Sequence, residues 1–462
     1  MVTDAQAAEF RAYWVDAFNP GIKSPTQIDE MLATVRASNM NAVIVQMRRR
    51  GNTFYPSRID PWAPDADPSF DSLDYLIRKA HELSPRVEVH CWFCTMPVWK
   101  EQTMPEDPDH VCNLHPEWLT CNQAGEAWDG ENYCLDPGVP EAAQYTVDVI
   151  MEVAERYDVD GVHYDYIRYA GNTSGYNPVS LARFNALHGR SGTPSETDPE
   201  WMQFRRDQVS AIVRKVYVNA VAIKPNLKMT ASTITWGDGP ITEEDWRKTA
   251  AYSDVLQDWR AWMEEGIIDI SFPMTYYNDD VHPSYYDHWI AYQKSHKYGR
   301  HLVIGVGSYM NSKANALVQL AETRTPFDGS TPEGQCLYSF NSPHSDGRGQ
   351  AAGFAGDLAA AVYPSPVPVP DMPWKSAPTL GHIRGTVTSQ SGKALDGVAV
   401  SLSGPHPRSM VADCTGFYAF VDLAPGQYTV TASRPGALTV SATVRVAAGA
   451  VADADLANVA DA

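Results

Sequence analysis

The 462-residue chain carries 36 Lys and Arg against 56 Asp and Glu, a formal net charge of −20, with 44% hydrophobic and 20% charged residues. That balance argues against a nucleic-acid backbone or an anionic membrane surface as partner. No run approaches the roughly 20 apolar residues of a membrane span, and the length leaves room for more than one domain.

The opening M-V-T-D-A-Q-A-A-E-F has neither the basic region nor the apolar core of a signal peptide. A first strand is predicted over Phe10 to Phe18. Ser24-Pro25 then supplies an N-cap with proline at the first helical position, and Ile28, Leu32 and Val35 continue at helical spacing. Asn41 to Arg48 is a second buried strand, Leu73 to Leu83 an amphipathic helix, and Val87 to Phe93 a third strand. Cys91, Cys94, Cys112, Cys121 and Cys134 cluster here, but Cys91-x-x-Cys94 lacks the second CxxC or His pair of a zinc site. They read as thiols packed in a long loop, with room for one disulfide.

A helix marked by Val147, Ile150, Met151 and Ala154 leads into Y-D-V-D-G-V-H-Y-D-Y-I-R-Y (Tyr157 to Tyr169), a buried strand that ends in Asp165, Tyr166 and Arg168. The alternation continues with strands over Leu227 to Trp236, Ile267 to Tyr276, Leu302 to Tyr309 and Gln335 to Asn341. Helices are expected over Glu200 to Ile223, Trp259 to Glu265, Tyr285 to Ser295, Ala314 to Thr323 and Ala351 to Val362. Eight βα units over about 350 residues fit an α/β fold of the closed (β/α)8 TIM-barrel type. An open doubly wound sheet is disfavoured, because no glycine-rich phosphate turn follows the first strand. The barrel is assigned to residues 1–362. Residues 363–380 are Pro-rich and read as a polyproline-like, semi-rigid spacer. From 381 to 462, short alternating strands between Gly, Pro, Asp and Ser turns read as a small all-β sandwich, Ig-like or prealbumin-like.

Reactive groups of such barrels collect at the C-terminal ends of the strands. Those ends offer Asp16; Gln46 and Arg48; His90 and Trp92; His163, Asp165 and Arg168; Trp236; Tyr276 and Tyr277; Tyr309; and Asn341. Carboxylates among aromatic and amide side chains suit a carbohydrate substrate. Two carboxyl groups flank the bond in glycoside hydrolysis, aromatic faces hold sugar C–H faces, and polar side chains hold hydroxyls. Asp165 is the first carboxylate; its alternative is a structural ion pair with Arg168 or His163. Asp258 and Asp16 compete for second place, and Asp258 serves equally well as a helix N-cap. Asp269 begins its strand and falls on the opposite, stability-determining face. Trp92, Trp99 and Trp236 offer sugar platforms. No H-x-H or D-x-D spacing points to a metal, and no cofactor is called for.

The motifs F-R-A-Y-W-V-D-A-F, V-I-V-Q-M-R-R-R-G, E-V-H-C-W-F, H-P-E-W-L, L-D-P-G-V-P, V-H-Y-D-Y-I-R-Y, Q-D-W-R-A-W-M-E-E-G and P-M-T-Y-Y run in order across roughly residues 9 to 345. Together they resemble the glycoside-hydrolase-like family 10 proteins. The resemblance implies a (β/α)8 fold and glycosidic-bond hydrolysis. It favours Asp165 as nucleophile or stabilising carboxylate and raises Asp258, ahead of Asp16, as proton donor. It also implies that Gln46, Arg48, His90 and Tyr276 line the pocket, with cell-wall glycan or plant or algal polysaccharide as substrate. The tail resembles a carboxypeptidase regulatory-like domain, a generally non-catalytic extracellular module. That implies a secreted or periplasmic protein whose leader has been removed. Two other functions compete, a non-catalytic carbohydrate-binding barrel and a metal-dependent hydrolase or deacetylase acting on sugars.

Overall fold

Eight parallel strands close into a barrel in chain order: β1 (Phe10–Val15), β2 (Ala42–Arg48), β3 (Glu88–Cys94), β4 (Gly161–Asp165), β5 (Lys228–Thr233), β6 (Ile270–Thr275), β7 (His301–Val306) and β8 (Gly334–Leu337). Closure is made by β8 on β1, with Phe10 opposite Gly334 and Tyr13 opposite Leu337, which removes the open-sheet alternative. The computed structural model describes residues 8–434 and 439–459, so the reading of the first seven residues lies outside it. Among the described residues no helix is long and apolar enough to cross a membrane.

Strand side chains alternate faces, so every second residue enters the barrel. Phe10, Ala12 and Trp14 of β1, Ala42 and Ile44 of β2, Trp92 of β3, Ile270 and Phe272 of β6, Val303 of β7 and Cys336 of β8 make the interior cluster. The large Trp14 ring fits because β7 carries Gly305 opposite it; a Cβ there would stand 2.7 Å from Trp14 Cη2. The helices start where the chain says they should. Ser24 accepts from Gln27 N ahead of Pro25–Ala37, and Asp198 accepts from Glu200 N and Trp201 N ahead of Pro199–Ile223.

The Pro-rich stretch is not a free spacer. It is strapped across the barrel's N-terminal end, where Glu9 N donates to Pro368 O, Asn41 Nδ2 to Val367 O and Arg11 to Ser365 O. Met372 joins the interior cluster, with Trp374 packed against it, so the segment plugs the barrel floor. Asp269 holds it there, accepting from Trp374 Nε1 at 2.7 Å and pairing with Lys375 Nζ at 3.0 Å. Extended proline-rich backbone leaves its carbonyls without internal partners, and the barrel's polar side chains satisfy them.

Beyond the strap, two antiparallel-rich sheets face each other around Ile383, Val387, Val400, Leu402, Tyr418 and Val430. One holds Phe417–Leu423, Gly381–Ser389, Val451–Asp453 and Leu456–Val459; the other holds Arg408–Val411, Ala399–Ser403, Gly426–Ser433 and Val440–Val446. This sandwich rests on the barrel through Arg183–Asp396, from the helix Pro178–His188, and Arg300–Asp422, from the loop before β7. All seven cysteines are free thiols, against the one disulfide allowed for. Cys91 and Cys94 differ by an odd number of strand positions, so they face opposite sides of β3.

Candidate active site

At the C-terminal mouth of the barrel, a pocket of about 260 Å³ is lined from β1 through β6 and from β8. The site grows out of β4. Asp165 closes that strand, and Tyr166 turns the chain out of it with φ +53°, a left-handed conformation in which its N–H donates to Asp165 Oδ1 at 2.8 Å. Oδ2 accepts from the Trp92 indole at 3.1 Å. Asp165 is only 5% exposed, and burial pushes its carboxyl up to about 6, against the opposing pull of Arg168 and the two N–H donors.

A second carboxyl group, Asp16, lines the same pocket from the end of β1. Its Oδ1 accepts from Phe18 N, Asn19 N and Asn19 Nδ2, while Oδ2 takes only the Asn19 amide at 3.1 Å. Gln46 fixes this loop by accepting Ala17 N at 2.9 Å, and its amide reaches Cys94 Sγ at 3.1 Å. Burial and the nearby Asp165 raise the Cys94 thiol to about 12, so it stays protonated. Tyr276 stacks on Tyr338 with ring centroids 5.4 Å apart. Burial, and then Asp16 and Asp165 together, push the Tyr338 hydroxyl upward, which ties both carboxyl groups to one space.

The pocket wall is rich in polar groups that the protein does not use. Arg168, 7% exposed, lies between the rings of Tyr166 (4.4 Å) and Trp236 (5.1 Å), and its Nε is buried without a partner. Among the described residues, the guanidinium of Arg50, the Asn132 amide, the Trp236 indole and the hydroxyls of Tyr276 and Tyr338 also have no hydrogen-bond partner in the protein, although all line the pocket. The Arg168 Nε is buried, where an unpaired donor is unusual; the other groups open onto the pocket. A wall of this kind, alternating with aromatic faces, is complementary to a ligand that carries hydroxyls on an apolar ring.

The structure therefore brings together Asp165, Asp16, Gln46, Trp92, Arg168, Trp236 and Tyr276. Others expected at the mouth sit elsewhere. A β-bulge interrupts β2 after Gln46, so Arg48 stands opposite Phe93 rather than continuing the inward alternation. Its guanidinium is buried against Asp60 and the carbonyls of Cys94 and Thr95. His90 belongs to the barrel floor, 3.2 Å from Glu88, which also pairs with Lys228. His163 lies one inward step below Asp165. Its Nε2 accepts from the Trp14 indole and the Ser232 hydroxyl, and Nδ1 donates to Thr230 Oγ1. Burial, with His90 nearby, lowers its pKa well below the usual range, so it is a neutral prop beneath the pocket. Tyr277 points away and donates to the carbonyls of Thr235 and Gly237. Asn341 donates to Pro20 O, and the Trp99 indole to Thr103 O.

Asp258 is the clearest correction. Its side chain accepts from Ala261 N at 3.2 Å and caps Trp259–Glu265, and it takes no part in the pocket lining. Burial raises its carboxyl too, but a raised pKa does not bring the group to the mouth. Asp258→Ala is expected to cost about 1 kcal/mol, the usual value of a lost N-cap, while Asp258→Asn leaves the melting temperature and the chemistry at Asp165 in place. Thermal denaturation of the two variants checks this.

Several lining residues escaped the strand-end argument. Arg50 lies two residues past the end of β2, and Tyr338 lies just past β8, which stops at Leu337 within the stretch expected as strand from Gln335 to Asn341. Asn132 carries no such signal. It reaches the pocket from the insertion between β3 and β4, held by a short hairpin of Pro97–Trp99 with Tyr133–Cys134. Among the described residues, no cluster of three His, Cys, Asp or Glu side chains could hold a metal ion.

Comparison with known proteins bears on family and fold. A family model described as glycosyl hydrolase-like 10 matches residues 9–315, and one described as a carboxypeptidase regulatory-like domain matches residues 382–458. The glycosyl hydrolase YngK of Bacillus subtilis (strain 168) is 26% identical over 440 residues, 89% of this chain and 82% of that protein. Among solved structures, α-L-fucosidase isoenzyme 2 from Paenibacillus thiaminolyticus superposes with a TM-score of 0.52 at 15% identity, over 84% of this chain and 53% of that one. This chain thus spans about half of the fucosidase. The glycoside hydrolase domain of PgaB (BpsB) from Bordetella bronchiseptica gives 0.52 at 14% identity, over 77% and 98%. At such identities the structural likeness is one of fold.

Proposed function

The chain belongs to the glycosyl hydrolase-like 10 family, and from that premise we propose that it hydrolyses glycosidic bonds with Asp165 as proton donor and Asp16 as the partnering carboxylate. The observation that carries the proposal is the pocket wall. Arg50, Arg168, Asn132, Trp236, Tyr276 and Tyr338 present hydrogen-bonding groups with no partner among the described residues, around two carboxyl groups.

The roles follow from the two environments. A carboxyl raised to about 6 by burial holds a proton under mildly acidic conditions and gives it to the departing glycosidic oxygen. Asp16, bound by the Phe18 and Asn19 backbone N–H groups and the Asn19 side-chain amide, has only that amide on Oδ2 and lines the pocket. It attacks the anomeric carbon or takes the proton of the water that does. In either course the C–O bond breaks, the leaving oxygen gains the Asp165 proton, and water supplies the hydroxyl that replaces it. This reverses the order suggested by resemblance, in which Asp165 was nucleophile or stabilising group and Asp258 the donor.

The test is sugar release from a panel of polysaccharides and 4-nitrophenyl glycosides. Release by the wild type supports the proposal; binding without release on every member returns the protein to the non-catalytic carbohydrate-binding class. A pH profile sharpens it. Because folding raises the Asp165 pKa, the proton is held below about 6 and lost above it, so kcat/KM is expected to fall as pH rises through about 6. A rate that rises through that region would assign Asp165 the opposite role. We also propose that the protein acts outside the cytoplasm, a reading supported by the carboxypeptidase regulatory-like domain; fractionation of expressing cells checks it.

A further inference from the structure

Two exposed aromatic rings face the pocket from opposite sides of the barrel. Phe18 follows β1 and is 52% exposed; Trp236 follows β5 and is 44% exposed. In the order of the closed barrel, β1 and β5 are four strands apart in either direction, so the rings stand on diametrically opposed rims. Unlike the other exposed large apolar side chains, both rings line the pocket itself, where an aromatic face can cover the apolar face of a ligand ring.

Both rings also have cations packed against them. The Arg168 guanidinium lies 5.1 Å from the Trp236 centroid and is itself supported by Tyr166, while Arg49 and Arg50 lie 5.0 and 5.3 Å from Phe18. Arg49 is anchored in turn by Asp65 at 2.7 Å. A cation on one ring face fixes the ring's orientation and leaves the rest of the ring as a stiff platform. Among the described residues the Trp236 indole has no hydrogen-bond acceptor in the protein. Asp165 and Asp16 line the same pocket, from β4 and β1.

We infer that the enzyme is endo-acting: it seats a glycan across the barrel mouth from Phe18 to Trp236 and cuts within the chain rather than at its end. One platform on each side of the pocket provides for sugar units on both sides of the bond. An exo-acting enzyme needs only one such side, since the other ends at the terminal sugar. The inference rests on the glycosidase reading above and deepens it to substrate form.

Dye-linked insoluble polysaccharides (cellulose, xylan, mannan, galactan, chitin and peptidoglycan) test it, because only internal cleavage releases soluble dye. The matching 4-nitrophenyl monoglycosides are assayed in parallel. Dye release from one polymer, with oligosaccharide products, is the expected result. Hydrolysis of monoglycosides, or release of monosaccharide alone, overturns the inference and leaves the glycosidase reading standing. Release from neither substrate type removes both. On the cleaved polymer, Phe18→Ala and Trp236→Ala are each expected to lower kcat/KM by about tenfold or more, as truncating an aromatic anchor does. That loss should grow with oligosaccharide length and be largely restored by Trp236→Phe. A loss equal on the shortest cleaved oligosaccharide and the polymer, or no loss on either, overturns the platform assignment.

Discussion

Asp165→Asn is expected to lower kcat on an unactivated glycoside by about 10³–10⁴-fold, the upper range for loss of a positioned general acid. Asparagine keeps the size of the side chain and one acceptor for the Trp92 indole or the Tyr166 N–H, so the turn after β4 has what it needs to form. The proton is what disappears. The sharper measurement compares leaving groups. A 2,4-dinitrophenolate departs without protonation, so with Asp165 as the acid the variant keeps far more activity on a dinitrophenyl glycoside than on a saccharide. If Asp165 were instead the nucleophile, the variant would lose both activities alike. The same variant should lose the fall in kcat/KM above about pH 6, since that limb belongs to the carboxyl raised by its burial. Equal losses on both leaving groups, with the limb unchanged, would transfer the acid role to Asp16.

Removing Arg48 is expected to act on the fold. Its Nε lies 2.6 Å from Asp60 Oδ2, with the two side chains 2% and 0% exposed, and Asp60 also accepts from the Tyr145 hydroxyl. Burial by itself would lower the guanidinium pKa, but Asp60 and Tyr145 beside it raise it, so Arg48 keeps its charge. Arg48→Met leaves a buried carboxylate without its counter-charge, and breaking such a pair typically costs about 3–5 kcal/mol. The double variant with Asp60→Leu removes the orphaned charge as well and should recover much of that loss. Urea unfolding of the single and double variants reads the effect directly. A ligand residue of the pocket would behave otherwise, with stability kept and substrate affinity lost. That outcome would restore Arg48 to the place its motif first suggested.

Much of the architecture was legible before any coordinates. Apolar runs of strand length alternating with helical spacing, proline at the first helical position after Ser24, and the missing glycine-rich turn all pointed to the closed barrel. So did the arrival of Asp165, Asp16, Gln46, Trp92, Trp236 and Tyr276 at one mouth. These features depend on residue-by-residue alternation and on where strands stop, which are properties of the local backbone.

What remained hidden was non-local. Arg48 has the parity of an inward residue, and only the bulge against β3 turns it to the outer face. His90 and His163 also point inward, but their height along the barrel axis is set by strand register. That register places one beside Glu88 at the floor and the other beneath Trp14. Asp258 could cap a helix or reach the pocket, and the direction of the following helix made it a cap. Asn132 and the strap at 363–380 are placed by hydrogen bonds to residues far away in the chain. Alternation is determined by covalent geometry within a few residues, so the sequence by itself determined the barrel and its ring of candidates. Register, bulges and the docking of insertions are determined by pairing between distant segments, and only the tertiary structure decided which candidates meet in the pocket.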